Sequence, residues 1–331
     1  MAALQRTGPE CRSQAHTHTI PSLEHLTTEA DSLIAHSLAT DTWKVYKTTA
    51  DYLLRFQREY GFPDSWPVPL DQLINFVAYL SFTGLSPASV TTYISGIDYA
   101  HKARGLEDQI NNFLITKILE GLQRKRVKSS DVRAPVTLDL LCRLTPPSSS
   151  KSVFFKLRGF SSAFSLAFCA LLRIGEIASD NKSDTGPHVI CYEDISFSNK
   201  NEMYLGIRSS KADQRGNTIA LIISEQKGSE SDICPVKRLK QFLVMRYSGP
   251  TCSSPVYVHF DGSNLTRYQF NSVLPKTLQF CGLSEYIRSH SFRIGGASEL
   301  ARRGVTESEI KRWGRWNSNA YSSYIRLSFL E

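Results

Sequence analysis

Residues 289–326 read SHSFRIGGASELARRGVTESEIKRWGRWNSNAYSSYIR. Ser289 is suited to cap a helix and Gly304 is suited to end one, so the sequence predicts a helix between them. His290 and Arg293 are three residues apart, and on that helix they share one face. The first half of the stretch therefore predicts a helix that presents an imidazole and a guanidinium together.

The second half of the stretch predicts two more helices. Thr306 and Glu309 form a T-x-x-E capping box, and Gly314 ends the helix that the box opens. Trp316 follows in a turn, and a short helix with tyrosines comes after it. Cationic donors followed by a tyrosine suggest a nucleophile directed at a phosphate, which requires further cations from the preceding chain.

The composition indicates a folded protein that favours a polyanionic partner. The chain has 331 residues, 41% of them hydrophobic, which is enough for two buried cores. The net charge of +8 favours a polyanion, although charge alone does not require one. The seven cysteines show no C-x-x-C spacing and no signal peptide is visible, so we expect free thiols in a reducing compartment. No apolar run reaches the ~18 residues that span a bilayer, so no membrane partner is expected.

The N-terminal part predicts a leader followed by an all-α module. Residues 1–28 are polar and rich in Gly, Pro, Ser and Thr, so we expect a disordered leader. Apolar residues then recur at helical spacing over 29–126, in four stripes with short connections. One helix begins at Ser86 and Pro87, where a capping serine precedes a proline at the first helical position. Together these features predict a four-helix domain.

A basic segment, 127–135, separates this module from the rest of the chain. It ends in Ala-Pro, which is typical of a linker. A solvated connector, a strap along a DNA backbone and a nuclear import signal all fit its charges, and the last two can coexist. As a strap, it would bind DNA through the basic residues in and just before it: Arg124, Lys125, Arg126, Lys128 and Arg133.

The second domain, 136–331, contains a strongly apolar helix that leads directly to Arg173. An arginine after such an apolar wall must bind an anionic partner or reach solvent. Glu176 lies three residues further on, so the first interpretation of this segment alone is a structural ion pair. The alternative is that Arg173 binds an external anion.

The next part of the second domain changes to strand periodicity. Two strands are predicted, over 203–209 and 217–223, around a turn-rich hairpin that contains Lys211. A lysine there either projects into a neighbouring groove or is simply solvated. Further helices follow, and 254–260 is a short buried strand or a loop. The predicted fold class is mainly α with a small antiparallel β-sheet, an all-α domain followed by an α+β domain.

Each of these signals is weak alone, but their order along the chain is specific. The sequence resembles the catalytic domain of the tyrosine recombinases, the phage integrase family, in which Arg, Lys, His, Arg and His or Trp surround a tyrosine nucleophile. The four-helix module resembles the core-binding (SAM-like) domain of that family, and the resemblance covers about 30–326. The amino-acid sequence of 291–326 is most similar to that of recombinases of eukaryotic DIRS-like and crypton-type mobile elements. The matching positions are Arg173, Lys211, His290, Arg293, Trp316 and Tyr324.

The resemblance implies that DNA is broken and rejoined through a covalent 3′-phosphotyrosine. Negative charge grows on the non-bridging oxygens in the transition state, and Arg173 and Arg293 are expected to clamp them with paired hydrogen bonds. His290 is expected to bind one of these oxygens or to help move the phenolic proton. Lys211 would protonate the leaving 5′ oxygen. No metal, nucleotide or other cofactor is implied, because the phosphotyrosine conserves the energy of the broken strand.

Two assignments require a choice between neighbouring residues. Tyr324 is favoured over Tyr321 as the nucleophile, because 324–326 matches the Tyr-hydrophobe-Arg ending of the family. A free phenol has a pKa near 10, so the nucleophile depends on the cations around it. Arg315 stands where the family usually has a histidine, and the role of that histidine, a hydrogen bond to the phosphate, is assigned to Trp316.

The function that the resemblance favours is a site-specific recombinase or integrase of a mobile element. It would enclose duplex DNA between its two domains and act as a homo-tetramer on paired sites. The alternatives are a DNA-binding protein of the same fold that no longer cleaves, and a type IB topoisomerase-like enzyme. Only seven residues follow Tyr324, where the family commonly continues into a docking helix, so any docking would have to use this short apolar tail. If the source is eukaryotic, we expect the protein in the nucleus.

Overall fold

A computed structural model of the chain describes residues 20–107, 109–126, 131–145, 154–208, 219–246, 253–282 and 286–329. The chain divides into two units, Met1–Ser129 and Ser130–Glu331, each with its own apolar core. The division falls inside the predicted linker, 127–135, and assigns the second half of that linker to the second unit. Among the described residues, no helix is long and apolar enough to cross a membrane. Five cysteines of this part of the chain are free thiols: Cys142, Cys169, Cys191, Cys234 and Cys281.

The first unit has five helices in its described residues, whereas the sequence predicts four. They are α1 Leu23–His36, α2 Thr40–Tyr60, α3 Leu70–Phe82, α4 Pro87–Ala103 and α5 Phe113–Lys125. The additional helix, α1, begins inside the predicted leader 1–28, so that leader extends too far. The cause is local, because Ser22 accepts a hydrogen bond from the backbone N–H of His25 and caps the helix. Residues 1–19 of the predicted leader lie outside the described residues.

The core of the first unit is built from the apolar faces of α2, α3, α4 and α5. Leu73, Ile94 and Ile115 are among the side chains that these faces bury. As predicted, Ser86 caps α4 by accepting a hydrogen bond from a backbone N–H, and Pro87 is the first residue of that helix. The periodic apolar stripes of the sequence therefore become a shared core.

The second unit combines helices with a small antiparallel sheet, which confirms the predicted fold class. Its helices are α6 Leu138–Leu144, α7 Phe154–Cys169, α8 Ile174–Ile177, α9 Pro235–Met245, α10 Arg267–Phe280, α11 Ser291–Arg302 and α12 Glu307–Gly314. The strands are β1 Ile195–Phe197, β2 Glu202–Ile207 and β3 Ile219–Ser224, in the order β1-β2-β3.

The sheet contains one strand more than the sequence predicts. On β2, Leu205 lies opposite Ile195 of β1 and Leu221 of β3, and both neighbours are antiparallel to it. Alternate residues of β2 are buried, which agrees with the predicted period of two. The additional strand, β1, has three residues and none of them is fully buried, so it leaves no apolar pattern in the sequence. Of the two predictions for 254–260, the loop is correct, since it forms only isolated bridges at Pro255 and Val258.

Helix α11 is buried over Ser291–Glu299, and its packing explains the Gly-Gly pair in the opening stretch. A Cβ atom at Gly295 would overlap the backbone of Val136, and one at Gly296 would overlap the carbonyl of Phe168 in α7. Only glycine permits such close contact between backbones. The pair therefore fixes α11 against the start of the second unit and against α7.

The N-cap of α11 lies one residue later in the chain than the sequence predicts. The helix begins at Ser291, and His290 rather than Ser289 occupies the N-cap position. The cause is the preceding turn, in which Ser291 Oγ accepts a hydrogen bond from the N–H of Arg288 at 3.0 Å. His290 consequently lies at the open end of the helix. The helix ends as predicted before Gly304, which has a φ of +76°.

Helix α12 and the segment after it hold the last part of the chain. The predicted capping box of Thr306 and Glu309 is confirmed, and the helix ends at Gly314. The left-handed residue that follows is Arg315, with a φ of 55°. The predicted short helix with tyrosines is a 3₁₀ helix, Asn319–Tyr324.

Candidate active site

The site lies where the start of α11 meets the residues that follow α12. His290 Nε2 and the hydroxyl oxygen of Tyr324 are 2.9 Å apart, which is a hydrogen bond. The ring of Tyr324 also contacts Trp316, with 4.9 Å between the centroids. The fold thus brings together three predicted site residues from two separate elements.

The surroundings of His290 favour a neutral imidazole. Burial, followed by the charges of Arg133, Arg293 and Arg173, lowers the pKa of His290 to about 4. A neutral imidazole can accept a proton at Nε2, so the hydroxyl of Tyr324 can be the donor of their hydrogen bond. The hydrogen bond gives the phenolic proton a path to His290, whose lowered pKa makes it a weak base while no anion is bound nearby.

Arg293 lies beneath the aromatic rings and not on the surface. Its side chain is fully buried and donates hydrogen bonds to the carbonyl oxygens of Leu171 and Gly314. Its guanidinium carbon lies 4.2 Å from the centroid of the Trp316 ring, which is a cation–π contact. Burial and two neighbouring arginines lower the pKa of Arg293 to about 9. In this conformation the guanidinium is not accessible to a phosphate, so the predicted clamp with Arg173 is not assembled.

Arg173 is held by a buried carboxylate and remains partly exposed. Its backbone N–H donates to Glu176 Oε2 at 2.8 Å, and its Nη1 lies 3.2 Å from Oε1 of the same side chain. The Arg173 side chain is 24% exposed, which leaves part of the guanidinium open to an anion. The predicted structural pair is therefore real, and it does not prevent Arg173 from binding an external anion as well.

Arg315 completes this ion-pair network from the other side. Its Nη2 lies 2.7 Å from Glu176 Oε2, and both side chains are almost completely buried. The same guanidinium donates to the carbonyl oxygens of Ala170, Leu171 and Trp313. Sequence reasoning missed this partner, because the left-handed backbone that turns Arg315 inward leaves no signal in the residue pattern.

Adjacent residues Arg315 and Trp316 thus point to different environments. The ring of Trp316 contacts both the guanidinium of Arg293 and the ring of Tyr324, and these two also contact each other, with 5.6 Å from the guanidinium carbon to the Tyr324 ring centroid. A Cβ atom at Gly314 would overlap the Trp316 ring, so a glycine is required there. The side chain that faces Tyr324 is therefore Trp316, the residue to which the sequence assigns the role of the usual histidine. Its predicted hydrogen bond to a phosphate stays a prediction.

Tyr321 occupies a different environment from Tyr324. It is buried in a small apolar cluster with Leu171, Ala297 and Ile310. Its hydroxyl is hydrogen-bonded to Glu307, which raises its pKa. Tyr321 is therefore a packing residue of this cluster, and Tyr324 is the tyrosine beside His290.

The remaining predicted residues are Lys211 and the five basic residues expected to bind DNA. Lys211 and Lys128 lie outside the described residues. Arg124 is 82% exposed, and Lys125 ends α5. Arg126 donates to the carbonyl oxygens of Gly84 and Ser81 at the end of α3, so it contributes to the structure of the first unit. The last predicted DNA-binding residue, Arg133, is paired with Asp131.

No cluster of three or more His, Cys, Asp or Glu side chains is placed to hold a metal ion within the ranges that the structure describes. The groups that converge on the site are cations, one imidazole and one phenol. This donor set suits an anionic ligand.

The sequence matches no family model and no curated protein. Solved structures do match the fold. A lambda integrase dimer bound to a COC′ core site is similar with a TM-score of 0.59 and 15% identity, covering 92% of this chain and 94% of that chain. The XerH site-specific recombinase bound to a palindromic difH substrate, in a post-cleavage complex, has a TM-score of 0.59 and 15% identity, covering 84% of this chain and 75% of that chain.

A third match is the Tn1549 transposon integrase in complex with circular intermediate DNA. Its TM-score is 0.56 with 12% identity, and it covers 89% of this chain and 93% of that chain. The chain has the tyrosine recombinase fold. The likeness extends over most of the chain. At these identities it concerns the fold, and the activity has to be argued from the site.

Proposed function

We propose that this protein is a site-specific DNA recombinase that breaks and rejoins duplex DNA through a covalent 3′-phosphotyrosine at Tyr324. The observation that carries the proposal is the 2.9 Å hydrogen bond between His290 Nε2 and the Tyr324 hydroxyl. A phenol is activated as a nucleophile by an adjacent base and by nearby positive charge. The neighbouring Trp316 and the cations of Arg173 and Arg293 support the same role.

The proposed reaction is an in-line transfer of a phosphoryl group. The Tyr324 oxygen attacks the phosphorus, its proton passes to His290 Nε2, and the bond from phosphorus to the 5′ oxygen breaks. The leaving 5′ oxygen takes a proton from a general acid, for which Lys211 is the predicted residue. Rejoining reverses these steps, with a 5′ hydroxyl as the nucleophile. Removing one group that stabilises the transition-state charge commonly lowers the rate by ~10²–10³.

The two arginines have different parts in this proposal. Arg173 is the accessible cation and binds a non-bridging oxygen directly. Arg293 supplies positive charge from beneath Trp316 and Tyr324 while it is bonded to backbone carbonyls. To complete the predicted clamp, Arg293 has to leave these carbonyls when DNA binds.

A DNA-binding protein of the same fold that does not cleave is the second candidate. The observation in its favour is the complete burial of Arg293, which keeps one predicted phosphate ligand away from the surface. The presence of Arg173, His290, Trp316 and Tyr324 in one neighbourhood favours the recombinase.

The proposed partner of either function is double-stranded DNA. The net charge of +8 and the DNA complexes among the similar structures support it. The resemblance of the sequence to mobile-element recombinases supports a homo-tetramer on paired sites and a role in DNA integration. In a eukaryotic source, the basic segment before the second unit supports a location in the nucleus.

A nicked suicide substrate tests the proposal, because it traps the covalent adduct when the cleaved end diffuses away. Duplexes carry the terminal sequences that flank the gene, and the adduct is identified as a 3′-phosphotyrosyl peptide by mass spectrometry. We expect an adduct with the wild type and with Tyr321→Phe, and none with Tyr324→Phe. An adduct that depends on Tyr321 would refute the assignment, and binding of DNA without any adduct would favour the second candidate.

A further inference from the structure

Asp131 forms an ion-pair cluster that the site described above does not include. Its Oδ1 accepts from Arg133 Nε at 2.8 Å and its Oδ2 accepts from Arg133 Nη2 at 2.8 Å, so the pair is bidentate. Arg326 approaches the same carboxylate from the other end of the unit. Its Nη2 donates to Asp131 Oδ2, and its Nη1 donates to the backbone carbonyls of Asp131 and Arg133. One carboxylate therefore pairs with two guanidinium groups, with two hydrogen bonds from Arg133 and one from Arg326.

This cluster is connected to the proposed nucleophile through the backbone. The N–H of Arg326 donates to Ser298 Oγ at 2.8 Å, and the Ser298 hydroxyl lies 3.2 Å from the carbonyl oxygen of Tyr324. Ser298 is completely buried in α11. Ser298 thus contacts the backbone of both Arg326 and Tyr324.

The cluster also lies close to the reacting groups. The charge of Arg133 acts on His290, and it interacts with Tyr324. Arg133 and Asp131 are about 40% and 39% exposed, and Arg326 is 14% exposed. A ligand from solution can therefore reach the two guanidinium groups once the carboxylate moves.

A carboxylate between two arginines resembles a phosphodiester in charge and in geometry. Both anions carry one negative charge and present two oxygens that match a planar guanidinium. The Arg133–Asp131 pair is about 40% exposed, so water and salt screen it and a polyanion can compete with Asp131 for the guanidinium. DNA brings many phosphates at once and gains from the counterions that it releases.

We propose that Arg133 and Arg326 form a binding site for a second backbone phosphate of the DNA substrate, and that Asp131 occupies this site while DNA is absent. This inference rests on the proposed function, since it takes DNA as the ligand. Binding of the phosphate frees Asp131 and changes the contacts of Arg326, two residues after Tyr324. The site therefore links arrival of DNA to the segment that carries the nucleophile.

The test is the affinity of the full chain for duplex DNA, measured by fluorescence anisotropy in a Tyr324→Phe background that cannot form an adduct. Asp131→Asn keeps an acceptor at Oδ1 and removes the charge that competes with the phosphate. We expect this variant to bind duplex about three- to tenfold more tightly. Replacing both arginines, as Arg133→Gln with Arg326→Gln, should abolish this gain. It should also reduce the slope of log affinity against log salt by about 0.9 for each lost phosphate contact.

Asp180→Asn is the matched control. Asp180 is an exposed aspartate of the same unit, paired with Arg267 at 3.1 Å, and its replacement changes the net charge equally. We expect it to change the affinity by less than about twofold. Melting temperatures of all variants show whether they are folded.

The outcomes separate this inference from the proposed function. Equal affinities of the Asp131→Asn variant and its parent would overturn the inference and leave the recombinase function standing. A gain that persists without both arginines would also overturn it. A gain that depends on them, in a protein whose wild type never forms an adduct, would support the phosphate site and refute the proposed cleavage. Failure of every variant to bind duplex would refute both.

Discussion

At the scale of single residues, the charges around His290 determine what it can do. Burial lowers its pKa, and so do the charges of Arg133, Arg293 and Arg173, whereas Asp131 acts in the opposite direction. A phosphate bound beside Tyr324 carries the same sign of charge as Asp131 and raises the pKa of His290. In the proposed reaction, the imidazole is therefore a stronger base when the phosphate is bound than when it is absent.

The first prediction concerns the stability of the DNA-free protein in acid. The pKa of His290 is about 4 in the folded chain, below the value of about 6.5 for an unfolded chain. The unfolded chain binds more protons between these values, so stability is full above pH 6.5 and falls as the pH decreases towards 4. Replacing His290 by Gln should remove part of this loss, about 1 kcal/mol at pH 5 after allowance for solvent screening. Chemical unfolding at pH 7 and pH 5 measures it, and equal losses in both proteins would contradict it.

Single residues also show how far the sequence predicts the site. The residues of 289–326 are close in sequence and their helices have local signals, so the proximity of His290 to a C-terminal tyrosine was predictable. The burial of Arg293 and the inward turn of Arg315 were not. Both depend on backbone carbonyls at the end of α7 and on a left-handed residue, which are properties of tertiary structure. Lys211 lies outside the described residues, so its role stays a prediction.

At the scale of elements, the buried carboxylate of Glu176 joins two segments that are distant in sequence. It lies in α8, accepts from the backbone of Arg173 before that helix, and pairs with Arg315 after α12. The local signals of these segments are visible in the sequence. The capping box of α12 could be predicted because it needs only four neighbouring residues, and the structure confirms it. The short strand β1 was not predicted, because three residues without a buried side chain show no period.

We also predict that Glu176→Gln destabilises the second unit strongly. The amide keeps the shape of the carboxylate but leaves the buried guanidinium of Arg315 without its counter-charge. Breaking a buried pair in this way costs about 3–5 kcal/mol. Glu309→Gln is the matched control, because glutamine can replace glutamate in the exposed capping box of α12. Urea unfolding monitored by tryptophan fluorescence measures both, and comparable small effects would contradict the importance of the buried network.

At the scale of the whole molecule, the two units are built on separate cores. The core of Met1–Ser129 is helical, and that of Ser130–Glu331 combines helices with the sheet. The sequence predicted this division because the apolar stripes stop before a basic, proline-containing segment. The exact boundary could not be predicted, since the backbone N–H groups of Ala134 and Val136 are bonded to Tyr286 and Ser291, which are distant in sequence. The similar solved structures cover 92% and 89% of the chain, so the likeness extends over both units.

The last prediction is that the two cores respond to mutation independently. Leu73 in α3 and Leu205 in β2 are both fully buried, one in each unit. Truncating such a leucine to alanine costs about 2–5 kcal/mol, because apolar contacts are lost and a cavity remains. Leu73→Ala should therefore lower the melting transition of the first unit only, and Leu205→Ala that of the second. Calorimetry measures the two transitions, and hydrogen exchange followed by mass spectrometry assigns each to its unit. A single transition that both substitutions lower equally would show that the units unfold together.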